Sequence, residues 1–338
     1  MLIIYIKDNS IQYKVSILVP VYGVEKFIPR CALSLFEQTY KNLEFVFVDD
    51  YSPDKSIEIL EKEIDNHPDR KHQVRILRHN KNMGLGAARN TAVYAATGDF
   101  VYHVDSDDFI DKKCIQLCVE EQIKTNADVI SVYYSSNGLK RNVVKKTLDT
   151  QNPCLLNQSI ITHSTPNNIW GRLIRKSLYF ENCIRVQDGI NMSEDLNVLP
   201  RLLYFANKVS YIPSVMHYYE CSNMNSYTSS YSRNNFNQEQ KTYDFLKSFF
   251  EKKDSELEVC VQERECAFYI KTIFYCVKKN DKSMYCTLRK RISESPVTKK
   301  ILLNFLYKAA LKIKPYFLFR FYVKTASFVK NSIIEIFK

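Results

Sequence analysis

Residues 15–23 have the sequence VSILVPVYG, an apolar run that closes with a proline and a glycine. Short runs of β-branched and apolar residues bounded in this way are typical of buried strands. Similar runs follow at 45–48, 74–77, 100–104 and 129–133. Because apolar residues recur at helical spacing between these runs, the alternation predicts an α/β fold with a mostly parallel sheet and helices on both faces.

The ends of the predicted strands carry polar groups. Ligands of such sheets bind in a crevice outside the carboxyl ends of the strands. We therefore expect the polar residues that follow the first four strands to converge on one site. In chain order they are Pro20 and Tyr22, Asp49 and Asp50, Asn80 and Asn82, and Asp105, Asp107 and Asp108.

The run 105–108 (DSDD) places three carboxylates within four residues, directly after an apolar strand. Such carboxylates repel one another unless a positive charge lies between them. Mg²⁺ and Mn²⁺ prefer one or two carboxylates together with phosphate oxygens of a substrate. The run therefore predicts a divalent-cation site shared with a diphosphate, although a solvated acidic turn before the next helix fits the same pattern.

Two further segments carry candidate binding groups. The Asp50 carboxylate can accept an N–H from a uracil base, and helix capping is its alternative role. Ser52 and Pro53 are the expected N-cap and first residue of the helix that follows the second predicted strand. Segment 84–90 brings two glycines and Arg89 to the start of an alanine-rich helix, a setting that suits either a phosphate or a tight turn.

Candidate catalytic groups occur later in the chain. Glu194 and Asp195 precede an apolar helical series, where a carboxylate either takes the proton of an attacking hydroxyl or favours the helix start. Ser193 is a candidate N-cap, although Pro200 indicates that the helix begins later. Trp170, the single tryptophan, is either a core residue or a surface on which a sugar stacks.

Positive charge is concentrated at the end of the chain. The net charge is +11, and segment 299–338 holds nine Lys or Arg residues against the single acid Glu335. A basic, aromatic-rich amphipathic segment predicts peripheral contact with an anionic membrane, and a helix packed on the body is the alternative. The restriction of basic charge to this tail argues against nucleic acid as a partner.

The cysteines and the apolar runs indicate the compartment. The ten cysteines include no CxxC pair, the sequence shows no secretory signal, and no apolar run is long enough to span a membrane. We therefore expect a cytoplasmic protein with reduced thiols, at the cytoplasmic face of the inner membrane if the tail binds lipid. The 338 residues allow one large domain or two smaller ones.

The motifs together resemble the family 2 glycosyltransferases of the GT-A fold. The resemblance covers about residues 15–112 and resumes at NIWGRLIRKSL (168–178) and SEDLNVLPRLL (193–203). It implies a Rossmann-like sheet in a GT-A domain over 1–225, with a nucleotide-binding half at about 13–135 and an acceptor half at about 136–225. A mostly helical region is expected over 226–338. The segments that carry the first part are VSILVPVYGVEKFI (15–28), QTYKNLEFVFVDDYSPDKS (38–56), NKNMGLGAARNTA (80–92) and ATGDFVYHVDSDDFID (96–111).

The resemblance implies roles for the residues of the donor site. Pro20, Tyr22 and Asp50 would line the nucleotide base. Arg89 would lie beside the nucleotide, and Asp105 would approach the ribose. The implied donor is a nucleotide-diphosphate sugar, with UDP-sugars favoured.

It also implies roles for the residues at the reacting groups. Asp107, assisted by Asp108, would bind Mg²⁺ or Mn²⁺ together with the diphosphate. Asp195 would be the catalytic base of a single inverting displacement, with Glu194 as the second candidate. Trp170 would belong to the side of the acceptor, a glycan or lipid-linked hydroxyl in bacterial surface polysaccharide or glycolipid synthesis.

The sequence departs from the usual family pattern at two positions. Tyr51 stands where the family often has Gly, and Gly23 stands where it often has Asn.

Three rival functions fit the sequence less well. A sugar-nucleotide pyrophosphorylase needs a Gly-rich, Arg-containing loop after the first strand, and segment 20–30 has a single Gly. A phosphoacceptor protein or haloacid-type phosphatase needs a lone nucleophilic Asp. A non-catalytic membrane-surface scaffold would not need the acids.

Overall fold

The structure of the chain is a computed structural model. Its contacts divide the chain into two units, Met1–Phe245 and Leu246–Lys338. The domain boundary near residue 225 stays a prediction. The residues that the structure describes are 12–137, 142–223, 232–295 and 297.

Nine strands occur in the described residues of the first unit. They include the five strands that were expected over residues 15–133. Their bounds are β1 Val15–Val21, β2 Leu43–Asp49, β3 Val74–Arg78, β4 Phe100–His103, β5 Phe109–Ile110, β6 Val129–Asn137, β7 Asn142–Lys145, β8 Arg172–Arg175 and β9 Val209–Glu220.

Helices separate most of these strands and continue into the second unit. Their bounds are α1 Ile28–Phe36, α2 Ser56–Asp65, α3 Pro68–Lys71, α4 Leu85–Ala95, α5 Cys114–Thr125, α6 Pro153–Ile161, α7 Ser177–Glu181, α8 Glu194–Phe205, α9 Arg233–Phe250, α10 Ser255–Lys279 and α11 Lys282–Glu294.

The strands form one mixed sheet in the order β3-β2-β1-β4-β8-β6-β9-β5, with β7 beside β6. The first four strands of this order pair in parallel, as predicted. β6 and β9 are also parallel, whereas β8 runs antiparallel to both β4 and β6. The carboxyl ends of β1, β2 and β4 therefore meet at one edge of the sheet.

Alternate residues of the central strands face opposite layers of the fold. Ile17 and Phe45 point into a core that includes α1, α2 and α5. Leu18 and Val46 point into a second core that includes α4, α6 and α8. Each such buried side chain contributes about 1.5–3 kcal/mol relative to an exposed one. Helices on both faces of an α/β sheet are thus confirmed.

Two helix starts differ from the sequence-based expectation. α2 begins at Ser56 rather than at Pro53, because the Ser52 hydroxyl accepts a hydrogen bond from the Gly23 amide instead of capping the helix. α8 begins at Glu194 and contains Pro200, so Ser193 occupies the N-cap position as predicted, without a capping side-chain bond, and the later start was wrong. Burial of every residue from 196 to 203 offsets the proline penalty of about 3 kcal/mol.

The second unit consists of helices in its described residues. Asp254 accepts hydrogen bonds from the Glu256 and Leu257 amides at the start of α10. Asp281 caps α11 in the same way. No helix within the described residues is long and apolar enough to cross a membrane. The basic tail predicted over 299–338 lies outside the described residues.

Candidate active site

The loops after β1 and β2 form one side of the site. Pro20 belongs to β1 and is in register with Val48 of β2. Tyr22 directly follows β1, and 47% of its surface is exposed. Asp50 directly follows β2 and is buried. Because β1 and β2 are adjacent parallel strands, the residues predicted to line a nucleotide base start from neighbouring strand ends.

The Asp50 carboxylate is held by groups from the segment after β3. The Met83 and Gly84 amides donate to its two oxygens at 2.8 and 2.7 Å. Nδ1 of His79 lies 2.7 Å from Oδ1, and Nε2 of the same ring lies 2.9 Å from the Thr91 hydroxyl. Asp50 therefore accepts hydrogen bonds from the backbone amides at the start of α4, where the sequence suggested a phosphate.

Asn80 and Asn82 do not take part in these contacts. Both side chains are exposed, and the groups that their loop brings to Asp50 are the His79 ring and backbone amides. An expectation based on polar side chains alone therefore missed His79. No spacing in the sequence distinguishes this histidine from the other five.

A bond to a distant loop fixes the start of α4. Gly84 has a φ of 92°, and a Cβ at this position would collide with the Asn191 side chain. Oδ1 of Asn191 accepts a hydrogen bond from the Gly86 amide at 3.0 Å. Asn191 thereby joins α4 to the loop that leads into α8, a link the sequence did not reveal.

Arg89 of α4 lies between three carboxylates from two parts of the chain. One of its terminal nitrogens, Nη2, is 2.9 Å from Asp105, 3.4 Å from Glu194 and 3.8 Å from Asp195. Its side chain is 4% exposed. Burial alone would lower the pKa of Arg89, but the surrounding carboxylates raise it, so the group stays a cation. The structure thus brings together four of the predicted site residues.

The two acids at the start of α8 lie in the same buried environment. Burial raises the pKa of both Glu194 and Asp195, and the charge of the neighbouring Asp195 raises that of Glu194 further. The Arg89 cation lowers both pKa values, and the Ile169 amide lowers that of Asp195 further. The pair therefore holds a proton more tightly than two exposed carboxyl groups would.

The loop after β4 is fixed by the end of β9. Asp108 is fully buried, with Oδ2 2.9 Å from Nε2 of His217 and Oδ1 accepting from the Glu220 amide at 2.8 Å. Oδ2 of Asp107 accepts from the Asn223 side chain at 2.8 Å. Burial, followed by the charges of Asp108 and Asp105, raises the pKa of Asp107 to about 7. The 217–223 segment is a second contribution that the sequence did not predict.

The carboxylate oxygens of the 105–108 loop suit a cation that is also bound by a substrate. Within the described residues, no three His, Cys, Asp or Glu side chains are grouped closely enough to hold an ion by themselves. Both Asp108 oxygens have protein partners, and Asp107 has one oxygen so engaged. Burial, and after it the charges of Asp108 and Asp105, raises the pKa of Asp107, and a divalent cation would favour its ionised form. The residues therefore suit an ion completed by phosphate oxygens.

Trp170 lies in a stack of aromatic rings near this loop. Its ring stacks on His217 at 4.4 Å and on Tyr219 at 5.4 Å, and it meets Tyr134 edge-on at 4.7 Å. Only 6% of Trp170 is exposed. The ring therefore supports the histidine that holds Asp108, and its predicted role in binding an acceptor stays a prediction.

Comparison with known proteins gives a consistent result. The model of glycosyl transferase family 2 matches residues 16–189, just over half of the chain. The uncharacterized glycosyltransferase EpsJ of Bacillus subtilis is 32% identical over 188 residues, which is 54% of this chain and 53% of EpsJ. The chain thus spans about half the length of that relative.

Two solved structures share the fold. One is Staphylococcus aureus TarS 1–349 in complex with UDP-GlcNAc, with a TM-score of 0.69 and 21% identity over 93% of this chain and 91% of that one. The other is the mannosyltransferase PcManGT of Pyrobaculum calidifontis in complex with GDP-Man and Mn²⁺, with a TM-score of 0.50 and 14% identity over 92% and 86%. The fold is the predicted GT-A fold, and the chain belongs to glycosyl transferase family 2.

Proposed function

We propose that this protein transfers a sugar from a nucleotide-diphosphate sugar to an acceptor hydroxyl with inversion at the anomeric carbon. The observation that carries the proposal is the position of Arg89 between Asp105 and Asp195. One guanidinium group joins the loop after β4, which suits the donor, to the start of α8, which suits a base. Donor and acceptor groups would therefore meet within a few ångströms.

The donor would lie along the ends of β1, β2 and β4. Pro20, Tyr22 and Asp50 would line the base, and Asp105 would meet the ribose. A UDP-sugar is favoured, and the fold shared with TarS, solved with UDP-GlcNAc, supports this choice. PcManGT, which has a similar fold, was solved with GDP-Man, so a test of several nucleotides is needed.

The diphosphate would be bound next to Asp107. With Mg²⁺ or Mn²⁺ bound, the ion would neutralise the charge that develops on the departing diphosphate. Asp107 would hold the ion, and Asp108 would keep the loop in place through His217 and the Glu220 amide. The Mn²⁺ in the PcManGT complex supports a cation in this fold.

Asp195 would be the catalytic base. In the transfer step the acceptor O–H bond breaks and its proton moves to the Asp195 carboxylate. The acceptor oxygen then bonds to the anomeric carbon as the bond from that carbon to the diphosphate oxygen breaks. Glu194, the neighbouring carboxyl group at the start of α8, is the second candidate for the base.

The acceptor would be a glycan or a lipid-linked glycan in the synthesis of a bacterial surface polysaccharide or glycolipid. Trp170 would act on the acceptor side. The basic tail would bring the protein to an anionic membrane from the cytoplasm. These assignments depend on the sequence patterns and on family membership.

The test is a donor panel followed by product analysis. UDP-, GDP-, dTDP- and CMP-sugars, each with and without Mn²⁺, are compared by thermal shift, since a ligand that binds only the folded state stabilises it by about 2.7 kcal/mol at 100 times its Kd. The expected result is a cation-dependent shift with one nucleotide family. Transfer to an alcohol acceptor, followed by NMR, then reads the anomeric configuration. Failure of every donor to bind would contradict the proposal.

A further inference from the structure

Tyr51 has a conformation that is unfavourable for its residue type. Its φ is 63°, in the left-handed region that disfavours any side chain with a Cβ. Its surface is 61% exposed, so packing inside the fold returns little of that cost. Strained backbone of this kind persists where the surrounding structure holds it and is concentrated at functional sites.

The backbone around Tyr51 is held by bonds between the loops after β1 and β2. The Asp50 amide donates to the Val21 carbonyl at 3.0 Å, and the Ser52 amide donates to Asp49 at 2.8 Å. The Gly23 amide donates to the Ser52 hydroxyl at 2.9 Å. These bonds fix the residues on both sides of Tyr51, so its left-handed conformation is imposed by the two loops.

The same loops present a second exposed tyrosine. Tyr22 follows β1 directly, and its neighbour Val21 is in register with Asp49, two residues before Tyr51. A Cβ added at Gly23 would have no heavy atom within 4 Å, so this loop borders open space. Two exposed aromatic side chains therefore lie on adjacent, cross-linked strand ends, and Tyr51 directly follows the buried Asp50.

We infer that Tyr51 supplies an aromatic face that stacks on the base of the nucleotide donor. This inference rests on the proposed function and adds a residue to its base site. A planar base offers a π-face whatever its edge groups, and stacking on an aromatic side chain contributes to nucleotide affinity. The free energy gained in donor binding compensates for the backbone strain at Tyr51, a strain that a glycine at this position would not have.

The decisive variant is Tyr51→Gly, because relief of strain should raise the stability of the free protein, whereas loss of stacking should lower its nucleotide affinity. Glycine accepts a φ of 63° without penalty, so the melting temperature of the free protein should rise by about 2 °C. Loss of the ring should weaken UDP binding in the presence of Mn²⁺ on the order of tenfold, as measured by calorimetry. Tyr51→Phe keeps the ring and should keep wild-type affinity.

Two control variants separate the effects. Tyr94→Ala removes a tyrosine of equal exposure, 61%, from α4 and should leave UDP affinity unchanged. Lys252→Gly relieves an exposed residue with a φ of 62° and should raise stability without changing affinity. Inorganic pyrophosphate with Mn²⁺ lacks a base, so its affinity should not respond to Tyr51→Gly.

The outcomes distinguish this inference from the function on which it rests. If the wild-type protein binds GDP rather than UDP, the same comparison is made with GDP and tests the same stacking. A wild-type protein that binds a nucleotide, with a Tyr51→Gly variant that binds it equally well, would overturn the role of Tyr51 alone. A wild-type protein that binds no nucleotide diphosphate would overturn the proposed function and this inference together.

Discussion

Two regions of the site are built in different ways. The strand-end region, formed by residues 20–24 and 49–56, is held by hydrogen bonds between adjacent parallel strands and their loops. The assembled region, formed by Arg89, the 105–108 loop, the start of α8 and residues 217–223, joins groups up to 116 positions apart. Hydrogen bonds between neighbouring strand ends hold the first region, whereas the second consists mainly of buried charges.

This difference implies different responses to substitution. In the strand-end region an exposed side chain such as that of Tyr51 can be changed while the β1–β2 hydrogen bonds and the Ser52 and Ser56 hydroxyls keep the loops in place. In the assembled region the Arg89 cation lies beside three carboxylates, so its removal leaves buried negative charge without compensation. The predictions below test this contrast, from the largest expected effect to the smallest.

Asp195→Asn should reduce transfer by about 10²–10⁴-fold while donor affinity changes little, because the amide cannot accept the proton from the acceptor hydroxyl. Transfer is measured at saturating donor, and affinity is measured by calorimetry with Mn²⁺. Asp188→Asn is the matched control, since this carboxylate precedes α8 and is 84% exposed. A parallel loss of donor affinity would place Asp195 in the nucleotide site instead.

Arg89→Met should lower the free energy of unfolding by about 3–5 kcal/mol near neutral pH, because it leaves three carboxylates without their shared cation. The loss should be smaller at pH 5 than at pH 8. Without the cation the carboxyl pKa values rise further in the folded state, so the missing stability appears as these groups ionise.

Denaturant unfolding at the two pH values measures this difference. Arg185→Met is the control, because Arg185 is 42% exposed and forms its ion pair with Asp188, which is 84% exposed. Equal losses for the two variants would show that the carboxylates around Arg89 are not energetically coupled to it.

The effect of Mn²⁺ on donor affinity should depend on pH. The raised pKa of Asp107, about 7, means that a proton competes with the cation below that pH. The gain in affinity from Mn²⁺ should therefore grow by up to about tenfold per pH unit below 7 and level off above it. Asp107→Asn should abolish both the gain and its pH dependence. A wild-type gain that is flat from pH 5.5 to 8 would argue against Asp107 as the ligand.

The same pKa predicts a stability change in cation-free protein. Because the folded state holds the Asp107 proton more tightly than the unfolded chain, this group favours folding at low pH. Its contribution to the free energy of unfolding should fall as pH rises from about 4 to 7. The difference between wild-type and Asp107→Asn unfolding curves isolates it.

Asn223→Ala should have the smallest effect, about 1.5 kcal/mol of stability at pH 8, from one lost hydrogen bond to a carboxylate. Since that bond lowers the pKa of Asp107, the midpoint of the Mn²⁺-dependent gain should move to higher pH. Titration of donor affinity between pH 5.5 and 8.5 measures the midpoint. An unchanged midpoint would show that Asn223 does not act on Asp107.

The sequence identified the strand-end region more completely than the assembled one. Periodicity located β1 and β2, and the rule for parallel sheets placed Tyr22 and Asp50 at one edge of the sheet. Nothing in the spacing paired His217 with Asp108 or Asn191 with Gly86, since these contacts link segments about 105–109 positions apart. Their partners are selected by the way β9 and the loop before α8 pack.

The sequence by itself determined the α/β alternation, the family and most of the candidate acids, because strand and helix periodicity and local motifs are encoded over short stretches. The tertiary structure decided which charges meet. It placed Arg89 among Asp105, Glu194 and Asp195, gave Asp50 the amides of α4, and buried Trp170 against His217. Burial and charge neighbours set the protonation of these groups, and both exist only after the chain has folded.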